Sequence, residues 1–469
     1  MPTLEELLSG KPEPVKVDPA EIASSLLAKQ IFVVIDDDPT GSQSVSNLPI
    51  LTTWNVSDFS WAFSQGKPAV YVIANTRSLD PAEAEFLNKE IASNALIAAE
   101  ELDLELVFIS RSDSTLRGHY PLEPETLANM MGSGQGVDGI VIVPAFPDAG
   151  RITVDAIHYA KIGEEYLPVG ETEFAKDKTF GFNSSNLCEW VAEKTDGETP
   201  ANSVIAINLA ELRTDLEAVI QKLQSAKNRQ AIICDVVVED DLRRLALALI
   251  EAEKNGSRFI YRLGPTFVRA RLGQAVPRVL THDDVTANRK GETLVGGLVA
   301  VGSHTALTTS QLEELKERFA ATQLELDVRE LIKDTAATYI SEIVERINES
   351  LKTNDVIIST SRELISGQTP EESLAISRRI SAGVVETVAG VVAAVRPAFI
   401  VSKGGITSSD IAAKALQMSQ AYVVGPMLPG LVSYWDAVTG PAQGIPYVVF
   451  PGNVGTSSSL ADVVEKLKG

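Results

Sequence analysis

The sequence has few of the residues that build disulfide scaffolds and metal centres. Its 469 residues include two cysteines, Cys188 and Cys234, and four histidines. Neither cysteine stands in a C-x-x-C spacing, which excludes a disulfide scaffold or a zinc ribbon and indicates two reduced, buried thiols. The histidines are scattered along the chain, which argues against a histidine-rich metal centre. The sequence therefore indicates no set of metal ligands.

Long apolar runs and an excess of positive charge are also missing. No run approaches the 18 or more apolar residues of a membrane span, and residues 1–11 lack the apolar stretch of a signal peptide. Lys and Arg number 41 against 63 Asp and Glu, which gives a net charge of −22. Such a chain repels nucleic acids and anionic lipids, so we expect neither as a partner. We expect a soluble, cytoplasmic protein, and the sequence leaves formation of a homo-oligomer open.

The order of the apolar runs predicts the fold class. Hydrophobic residues make up 44% and charged residues 22%, which is ordinary globular composition, and the length predicts two or three domains. Short runs rich in Val and Ile at 31–35, 69–74, 104–109 and 139–143 are typical of strands buried on both faces of a parallel sheet. Helical stretches such as 81–101 alternate with them, and the alternation restarts after a polar stretch near 281–292. We therefore predict an α/β protein of two doubly wound domains with mainly parallel sheets.

Acidic, hydroxyl and arginine side chains follow the four predicted strands of the first half. The segments are D-D-D-P-T-G at 36–41, N-T-R-S at 75–78, R-S-D-S-T-L-R-G at 111–118 and P-A-F-P-D-A-G-R at 144–151. Ligands of open α/β sheets bind beyond the carboxyl ends of the strands. Arginine grips a carboxylate with paired hydrogen bonds, and an aspartate can take the proton of a reacting hydroxyl. The mix suits a polyhydroxylated acid; for Asp37, Thr40 or Ser114 alone, the alternative is a helix cap or a turn.

Glycine and hydroxyl residues follow three predicted strands of the second half. They read G-S-H-T at 302–305, K-G-G-I-T-S at 403–408 and G-N-V-G-T-S at 452–457, and Thr308 with Gln311 fits a capping box. Glycine lets the backbone approach a ligand closely, and a helix N-terminus points free N–H groups at an anion. Three helix ends would contribute at most about 6 kcal/mol, whereas millimolar nucleotide binding needs about 4. The loops suit a polyphosphate; ordinary capped turns are the alternative. No G-x-x-x-x-G-K-[ST] occurs, which excludes a P-loop enzyme.

At these segments the sequence resembles the four-carbon acid sugar kinase family, which includes kinases of threonate, erythronate and 3-oxo-tetronate. D-D-P-T-G at 37–41 matches the family's D-D-x-T-G, and 111–118 matches K-x-D-S-T-L-R-G with Arg111 in place of the usual Lys. Residues 144–151 are similar to P-A-[FY]-P-x-x-G-R. In the second half, 404–407 and 452–455 resemble G-G-[DE]-T and G-N-[FY]-G, with Ile406 and Val454 as departures. The matches extend from about residue 31 to 455.

The resemblance implies an ATP-dependent kinase that phosphorylates the terminal hydroxyl of a four-carbon sugar acid, with Mg²⁺ expected alongside ATP. It also implies a sugar-acid-binding domain followed by a nucleotide-binding domain, which we place at 30–280 and 293–469. The polar residues at 1–29 and 281–292 predict an N-terminal extension and a linker, and the extension departs from the family's pattern. The active site is expected in the cleft between the two domains. Either Asp37 or Asp113 is the candidate base, and the sequence does not choose between them. The other substrate-binding candidates are Asp38, Thr40, Arg77, Arg111, Ser114, Thr115, Arg117, Gly118 and Arg151. The candidates for binding ATP are Ser303, Gly404, Gly405, Ile406, Thr407, Gly452 and Asn453.

Two other classes of protein stay open on the sequence. A non-catalytic sugar-acid-binding or regulatory protein would keep the first set of residues and lose nucleotide chemistry, and Ile406 favours this reading. An oxidoreductase using a dinucleotide is disfavoured, because no G-x-G-x-x-G stands between a strand and a helix and no acidic ribose contact follows.

Overall fold

A computed structural model describes residues 2–38, 40–131, 136–303, 305–361, 365 and 369–469. Pro39 and His304, in two of the predicted strand-end loops, lie outside the described residues, as does the side chain of Ile406. The chain divides into two compact units. The first comprises Met1–Val45 and Trp54–Val276, and the second comprises Ser46–Thr53 and Pro277–Gly469.

The described strands, in chain order, are β1 Gln30–Asp36, β2 Leu48–Leu51, β3 Ala69–Ile73, β4 Glu105–Arg111, β5 Gly139–Val143, β6 Arg151–Val154, β7 Ile157–Ile162, β8 Glu165–Pro168, β9 Ile205–Ile207, β10 Gln230–Cys234, β11 Phe259–Leu263, β12 Leu298–Val301, β13 Thr322–Leu326, β14 Val356–Thr360, β15 Ile400–Lys403, β16 Gln420–Leu428, β17 Val432–Ala437 and β18 Tyr447–Phe450.

The described α-helices, in chain order, are α1 Leu4–Leu7, α2 Pro19–Ser25, α3 Val56–Ser64, α4 Pro81–Glu101, α5 Leu122–Met130, α6 Leu187–Lys194, α7 Leu209–Thr214, α8 Leu216–Ser225, α9 Glu239–Lys254, α10 Pro265–Arg271, α11 His282–Asn288, α12 Ala306–Arg318, α13 Val328–Leu331, α14 Ala336–Ser350, α15 Pro370–Ala394, α16 Gly405–Asp410 and α17 Ser459–Lys468. Within the described ranges, none is long and apolar enough to cross a membrane.

The first unit is built on a parallel sheet of seven strands in the order β3-β1-β4-β11-β5-β10-β9. The four apolar runs predicted as strands form β1, β3, β4 and β5. Every residue of β3 and β5 is buried, as expected for strands covered by helices on both faces. The prediction of an α/β fold with mainly parallel sheets is confirmed.

A separate antiparallel sheet of three strands, β6-β7-β8, also belongs to the first unit. This sheet was not predicted from the sequence, because its strands mix buried and exposed residues; β7, for example, contains the exposed Lys161. The segment 1–29, predicted as a polar extension, contains helices α1 and α2. Leu4, Leu7 and Leu8 pack against a cluster that includes Ile152 of this small sheet.

The sheet of the second unit is mixed, in the order β13-β14-β12-β15-β18-β17-β16-β2. The first five strands in this order, β13, β14, β12, β15 and β18, are parallel to one another. The pairs β18–β17, β17–β16 and β16–β2 are antiparallel. The antiparallel pair of β16 and β17 was not predicted from the sequence. The stretch 281–292, predicted as a linker, contains helix α11.

The capping box predicted at Thr308 and Gln311 is wrong. Helix α12 begins one turn earlier than expected, and its N-cap is Thr305, whose hydroxyl accepts a hydrogen bond from the Thr308 backbone N–H at 3.2 Å. Gln311 instead donates from Nε2 to the carbonyls of Val454 and Thr456, at 3.0 and 2.8 Å. Its side chain therefore links α12 to the loop after β18.

Candidate active site

The predicted strand-end residues of the first unit lie along one edge of the sheet because the strands are in register there. Asp36 at the end of β1 pairs with Ile73 of β3 on one side and with Arg111 of β4 on the other. Arg111 is in register with Leu263 of β11. The segments that follow these strands therefore leave the sheet at the same level, which brings Asp36–Asp38 next to the loop 111–118.

Asp37 and Arg77 form a two-point ion pair at this edge. Arg77 Nη2 donates to Asp37 Oδ1 at 2.5 Å and Nε donates to Oδ2 at 3.1 Å, while Nη1 reaches Asp38 Oδ2 at 3.2 Å. Asp37 is buried, whereas Asp38 and Arg77 are partly exposed. Burial raises the pKa of the Asp37 carboxyl to about 7, against the opposing pull of Arg77. Asp37 can therefore bind and release a proton near neutral pH.

Asp36 and Arg111 form a second ion pair beside the first, with Arg111 Nη2 3.9 Å from Asp37 Oδ1. Both side chains are buried, and Arg111 Nη2 donates to Asp36 Oδ1 and to the Asp38 carbonyl, the latter at 3.2 Å. Burial lowers the pKa of the Arg111 guanidinium to about 9. Arg111 is thus held by protein acceptors and fixes the backbone that carries Asp37 and Asp38. Thr40 is likewise engaged locally, since its backbone N–H donates to Asp38 Oδ1 at 2.9 Å.

Asp113 has a different electrostatic environment from that of Asp37. Its Oδ2 accepts from Arg117 Nε at 2.7 Å and from the Thr115 hydroxyl. Burial favours the neutral acid, but Arg77 and Arg117 outweigh it and hold the pKa of the Asp113 carboxyl well below its usual range. Asp113 therefore stays ionised at any physiological pH, as suits a residue that orients arginines.

The guanidinium groups of Arg117 and Arg151 both lie over the ring of Phe174, a residue that was not predicted from the sequence. Their guanidinium carbons lie 5.1 and 5.7 Å from the centre of the Phe174 ring. Arg151 is the first residue of β6, so the small antiparallel sheet delivers it to the same surface as Arg117. Two cations that stack on one ring are pre-oriented for an anionic group.

Ser114 contributes its backbone to the site's framework. Its carbonyl lies 2.8 Å from Nε2 of His158, whose Nδ1 lies 2.9 Å from the Thr153 hydroxyl. Burial lowers the pKa of His158 to about 4, so the ring is neutral at pH 7. We assign its proton to Nε2, because the carbonyl can only accept. His158 ties the loop 111–118 to the small sheet.

Two further residues fix the conformation of the loop 111–118: Gly118 within it, and Arg262 on the neighbouring strand β11. Gly118 has φ +112, and a Cβ there would lie 2.9 Å from Asp37 Oδ2, so only glycine fits beside the carboxylate. Arg262, buried at the end of β11, donates to the Ser112 hydroxyl and, at 3.2 Å, to the Arg117 carbonyl. Arg262 was not predicted, but the sequence carries a signal for it, because an arginine inside the otherwise apolar strand F-I-Y-R-L needs polar partners.

The three glycine loops of the second unit also meet at one edge, because Val301, Lys403 and Phe450 end β12, β15 and β18 in register. The Thr305 and Thr308 hydroxyls donate to the Gly452 carbonyl at 3.0 and 2.9 Å. A Cβ on Gly452 would lie 2.8 Å from Ser303 Oγ, so the Ser303 hydroxyl would have to move to admit it.

The remaining nucleotide candidates belong to the same loops. Gly404 is the N-cap of α16, and a Cβ on it would lie 3.1 Å from Thr407 Oγ1 and 3.4 Å from the Ser303 nitrogen. Gly405 and Ile406 are the first two residues of α16, and Asn453 is exposed in the turn after β18. The structure therefore brings Ser303, Gly404 and Gly452 together.

Lys403 is a further residue of this edge that the sequence analysis did not single out. It is fully buried, and Nζ donates to the carbonyls of Pro451 and Gly452 at 2.9 and 3.3 Å. In the described part of the chain there is no cluster of three His, Cys, Asp or Glu side chains that could hold a metal ion.

Comparison with known proteins defines the family. Residues 32–271 match a sugar-binding N-terminal domain and residues 298–460 match a nucleotide-binding C-terminal domain. The chain belongs to the four-carbon acid sugar kinase family, as its motifs indicated. It is thus a phosphotransferase with an alcohol group as acceptor.

Two relatives cover nearly the whole chain. A D-threonate kinase of Salmonella typhimurium is 25% identical over 450 residues, which are 92% of this chain and 97% of the relative. A D-erythronate kinase of Heliobacterium modesticaldum is 24% identical over 456 residues, with 93% and 96% covered.

Solved structures share the fold. A Haemophilus influenzae protein matches with a TM-score of 0.63 at 19% identity, covering 93% of this chain and 100% of that chain. A Salmonella typhimurium LT2 protein matches with a TM-score of 0.68 at 16% identity, covering 92% and 98%.

Proposed function

We propose that this protein transfers the γ-phosphoryl group of ATP to the terminal hydroxyl of a four-carbon sugar acid of the threonate, erythronate or 3-oxo-tetronate type. The observation that carries the proposal is the Asp37–Arg77 pair beside Asp113, Arg117 and Arg151, in the part of the chain that matches a sugar-binding domain. The names of the two relatives support the same substrate class. We place the reaction in the cytoplasm.

Asp37 is the general base in this proposal. A base works best when its pKa is close to the working pH, and burial raises the pKa of Asp37 to about 7. Asp113 is a weaker candidate because its pKa is held well below the usual range. Asp113 instead orients Arg117, and Arg77 stabilises the charge of Asp37 once the proton has been released.

Arg117 and Arg151 bind the anionic groups of the reactants. Each guanidinium is placed by the Phe174 ring, and Arg117 is also held by Asp113. The substrate carboxylate and the phosphoryl group in transfer both need cations around them. Asp38, which is partly exposed, is suited to accept hydrogen bonds from sugar hydroxyls.

The second unit binds ATP through Ser303, residues 404–407 and the turn at Gly452 and Asn453. Phosphoryl transfer depends mainly on positioning and on neutralising charge, and Mg²⁺ on the β- and γ-phosphates supplies part of that neutralisation when it is bound. Glycine at Gly404 and Gly452 leaves space for the close approach of a phosphate.

A substrate panel tests this function. The full-length protein is incubated with ATP, Mg²⁺ and, in turn, D- and L-threonate, D- and L-erythronate and 3-oxo-tetronates, and ADP release is measured by a coupled assay. We expect turnover with at least one four-carbon acid and none with the matching acid that lacks the terminal hydroxyl. Thermal stabilisation by an acid without ADP release from any of them would instead indicate a binding protein.

A further inference from the structure

The buried lysine at the end of β15 has an unusual set of partners. Lys403 is fully buried, and its described partners are the carbonyls of Pro451 and Gly452 and the face of the Phe450 ring, whose centre is 4.2 Å from Nζ. A buried ammonium is normally paired with a carboxylate, because removing a lone charge from water is costly. No such ion pair is formed by Lys403 with the described side chains. Among the described residues, Lys403 therefore lies next to the glycine loops without a counter-ion.

The two carbonyls that Lys403 holds determine where the adjoining N–H groups point. In a trans peptide the C=O and the N–H lie on opposite sides, and within the described chain the one cis peptide is Tyr120–Pro121. The Pro451 carbonyl shares its peptide with the Gly452 N–H, and the Gly452 carbonyl shares its peptide with the Asn453 N–H. Both N–H groups must therefore point away from Lys403, and neither donates to another described residue.

Several hydrogen-bond donors converge on the carbonyl of Gly452. The Gly452 carbonyl accepts from Lys403 at 3.3 Å and from the Thr305 and Thr308 hydroxyls at 3.0 and 2.9 Å. The Thr308 hydroxyl also lies 2.9 Å from Ser303 Oγ, so its one proton has two acceptors within reach. An anion placed at the outward N–H groups would accept their hydrogen bonds and would lie near the buried ammonium of Lys403.

We propose that Lys403 is the positioning residue of the phosphate site: it holds two carbonyls inward, so that the Gly452 and Asn453 N–H groups face a nucleotide phosphate above a buried cation. The inference deepens the proposed function and rests on the second unit being the ATP-binding part. Successive backbone N–H groups that converge on one side form a concavity suited to phosphate oxygens. Lys403 directly precedes G-G-I-T in the sequence. It is the last residue of β15, which lies between β12 and β18 in the sheet.

The charge state of Lys403 supplies a readout that a purely structural role would lack. Burial lowers the pKa of its ammonium to about 7, and no charged group of the described elements around it counteracts this effect. The groups that β18 and the turn after it place against Lys403 are the Phe450 ring and two backbone carbonyls, which are uncharged. The acid on α16, Asp410, is paired with Lys414. A bound phosphate would favour the charged form. Affinity for ADP should therefore be highest below about pH 7 and fall as the pH rises, by up to about tenfold per pH unit.

Calorimetric titration with ADP and Mg²⁺ at about pH 7, 8 and 9 tests the inference on the full-length protein. We expect Lys403→Met to weaken ADP binding about tenfold or more at pH 7 and to flatten the pH dependence, because methionine keeps the length but neither donates nor carries charge. Lys466→Met is the matched control, since Lys466 Nζ also donates to a backbone carbonyl of this unit, that of Met427 at 2.8 Å. It should leave ADP affinity unchanged.

The outcomes separate this inference from the proposed function. If the unaltered protein binds ADP equally well from pH 7 to 9, or if Lys403→Met binds it as tightly as the unaltered protein does, the role of Lys403 is refuted while the kinase remains. If the unaltered protein does not bind ADP at all, the nucleotide role of the second unit is refuted and this inference with it. The pH series on the unaltered protein remains decisive if Lys403→Met does not fold.

Discussion

At the scale of single residues, two aspartates of the candidate site have opposite pKa shifts because their surroundings differ. Asp37 and Asp113 both lie against arginines, and both are largely buried. Asp37 carries a pKa raised to about 7 by burial, whereas Arg77 and Arg117 overcome burial at Asp113 and keep that carboxyl ionised. Pairs of acids whose pKa values are pushed apart are typical of sites where one acid exchanges a proton and the other holds charge.

The first prediction follows from the pKa of Asp37. The base must be deprotonated to act, so kcat/KM for the sugar acid should rise with pH through an apparent pKa near 7 and level off above it. Asp37→Asn should lower kcat by about 10²–10⁴-fold and remove this rise. Asp113→Asn, by contrast, should mainly raise KM because Arg117 loses its anchor. A pH–rate profile unchanged in Asp37→Asn would contradict the assignment.

The second prediction concerns Gly118. An alanine there combines an unfavourable φ of +112 with a Cβ 2.9 Å from Asp37 Oδ2, so the carboxylate must shift. We expect kcat/KM to fall on the order of a hundredfold. Gly256→Ala is the control, because Gly256 has φ +95 and open space around its Cβ position. Equal activities of the two variants would show that the position of the Asp37 carboxylate does not matter.

At the scale of elements, the first helix supports the small sheet that carries Arg151. Leu4, Leu7 and Leu8 pack against its hydrophobic cluster, the Tyr166 N–H of β8 donates to the Pro2 carbonyl at 2.9 Å, and Lys11 pairs with Asp155. The segment before residue 30 thus belongs structurally to the substrate-binding unit.

The third prediction tests that support. Replacing Leu4 and Leu8 together by alanine removes apolar contacts that these partly buried side chains make, and should lower the free energy of unfolding of this unit by about 1–3 kcal/mol. KM for the sugar acid should rise, because Arg151 begins β6 of the same sheet. Thermal unfolding and steady-state kinetics measure the two effects. Glu5→Ala, at an exposed position of the same helix, should change neither; an unaltered melting temperature in the leucine variant would refute the role of the helix.

Some strands and helices could be predicted from the sequence, and others could not. Buried parallel strands such as β1 and β3 were predictable, because their residues are continuously apolar. The small sheet was not, since its strands mix polar and apolar residues. Parallel topology put Asp37 and Asp113 at one edge, but the Asp37–Arg77 pair depends on β3 lying beside β1, an order that the sequence does not encode locally. Lys403 and Arg262 carry a signal in hindsight: each is a lone cation in an apolar strand.

At the scale of the whole molecule, the two sets of candidate ligand-binding residues belong to two compact units. The acid and arginine cluster belongs to the first unit, and the glycine loops belong to the second. This division matches the sugar-binding and nucleotide-binding domains of the family at 32–271 and 298–460.

The fourth prediction follows from this division. In hydrogen–deuterium exchange, the sugar acid alone should slow exchange at 36–41 and 111–118, because ordered ligand contacts suppress local opening. ADP alone should slow exchange at 403–407 and 451–455. Protection of the glycine loops by the sugar acid alone, with none at 111–118, would reverse the assignment of the two units.

The central claim, transfer of a phosphoryl group to the terminal hydroxyl of a four-carbon acid, is tested most directly by ³¹P NMR of the reaction mixture. The protein is incubated with ATP, Mg²⁺ and the acid that gives the fastest ADP release, and Asp37→Asn is run in parallel. We predict a phosphomonoester signal coupled to the protons of the terminal carbon, forming as ATP is consumed and nearly absent in the variant. Formation of inorganic phosphate alone, or of an ester at another carbon, would contradict the account.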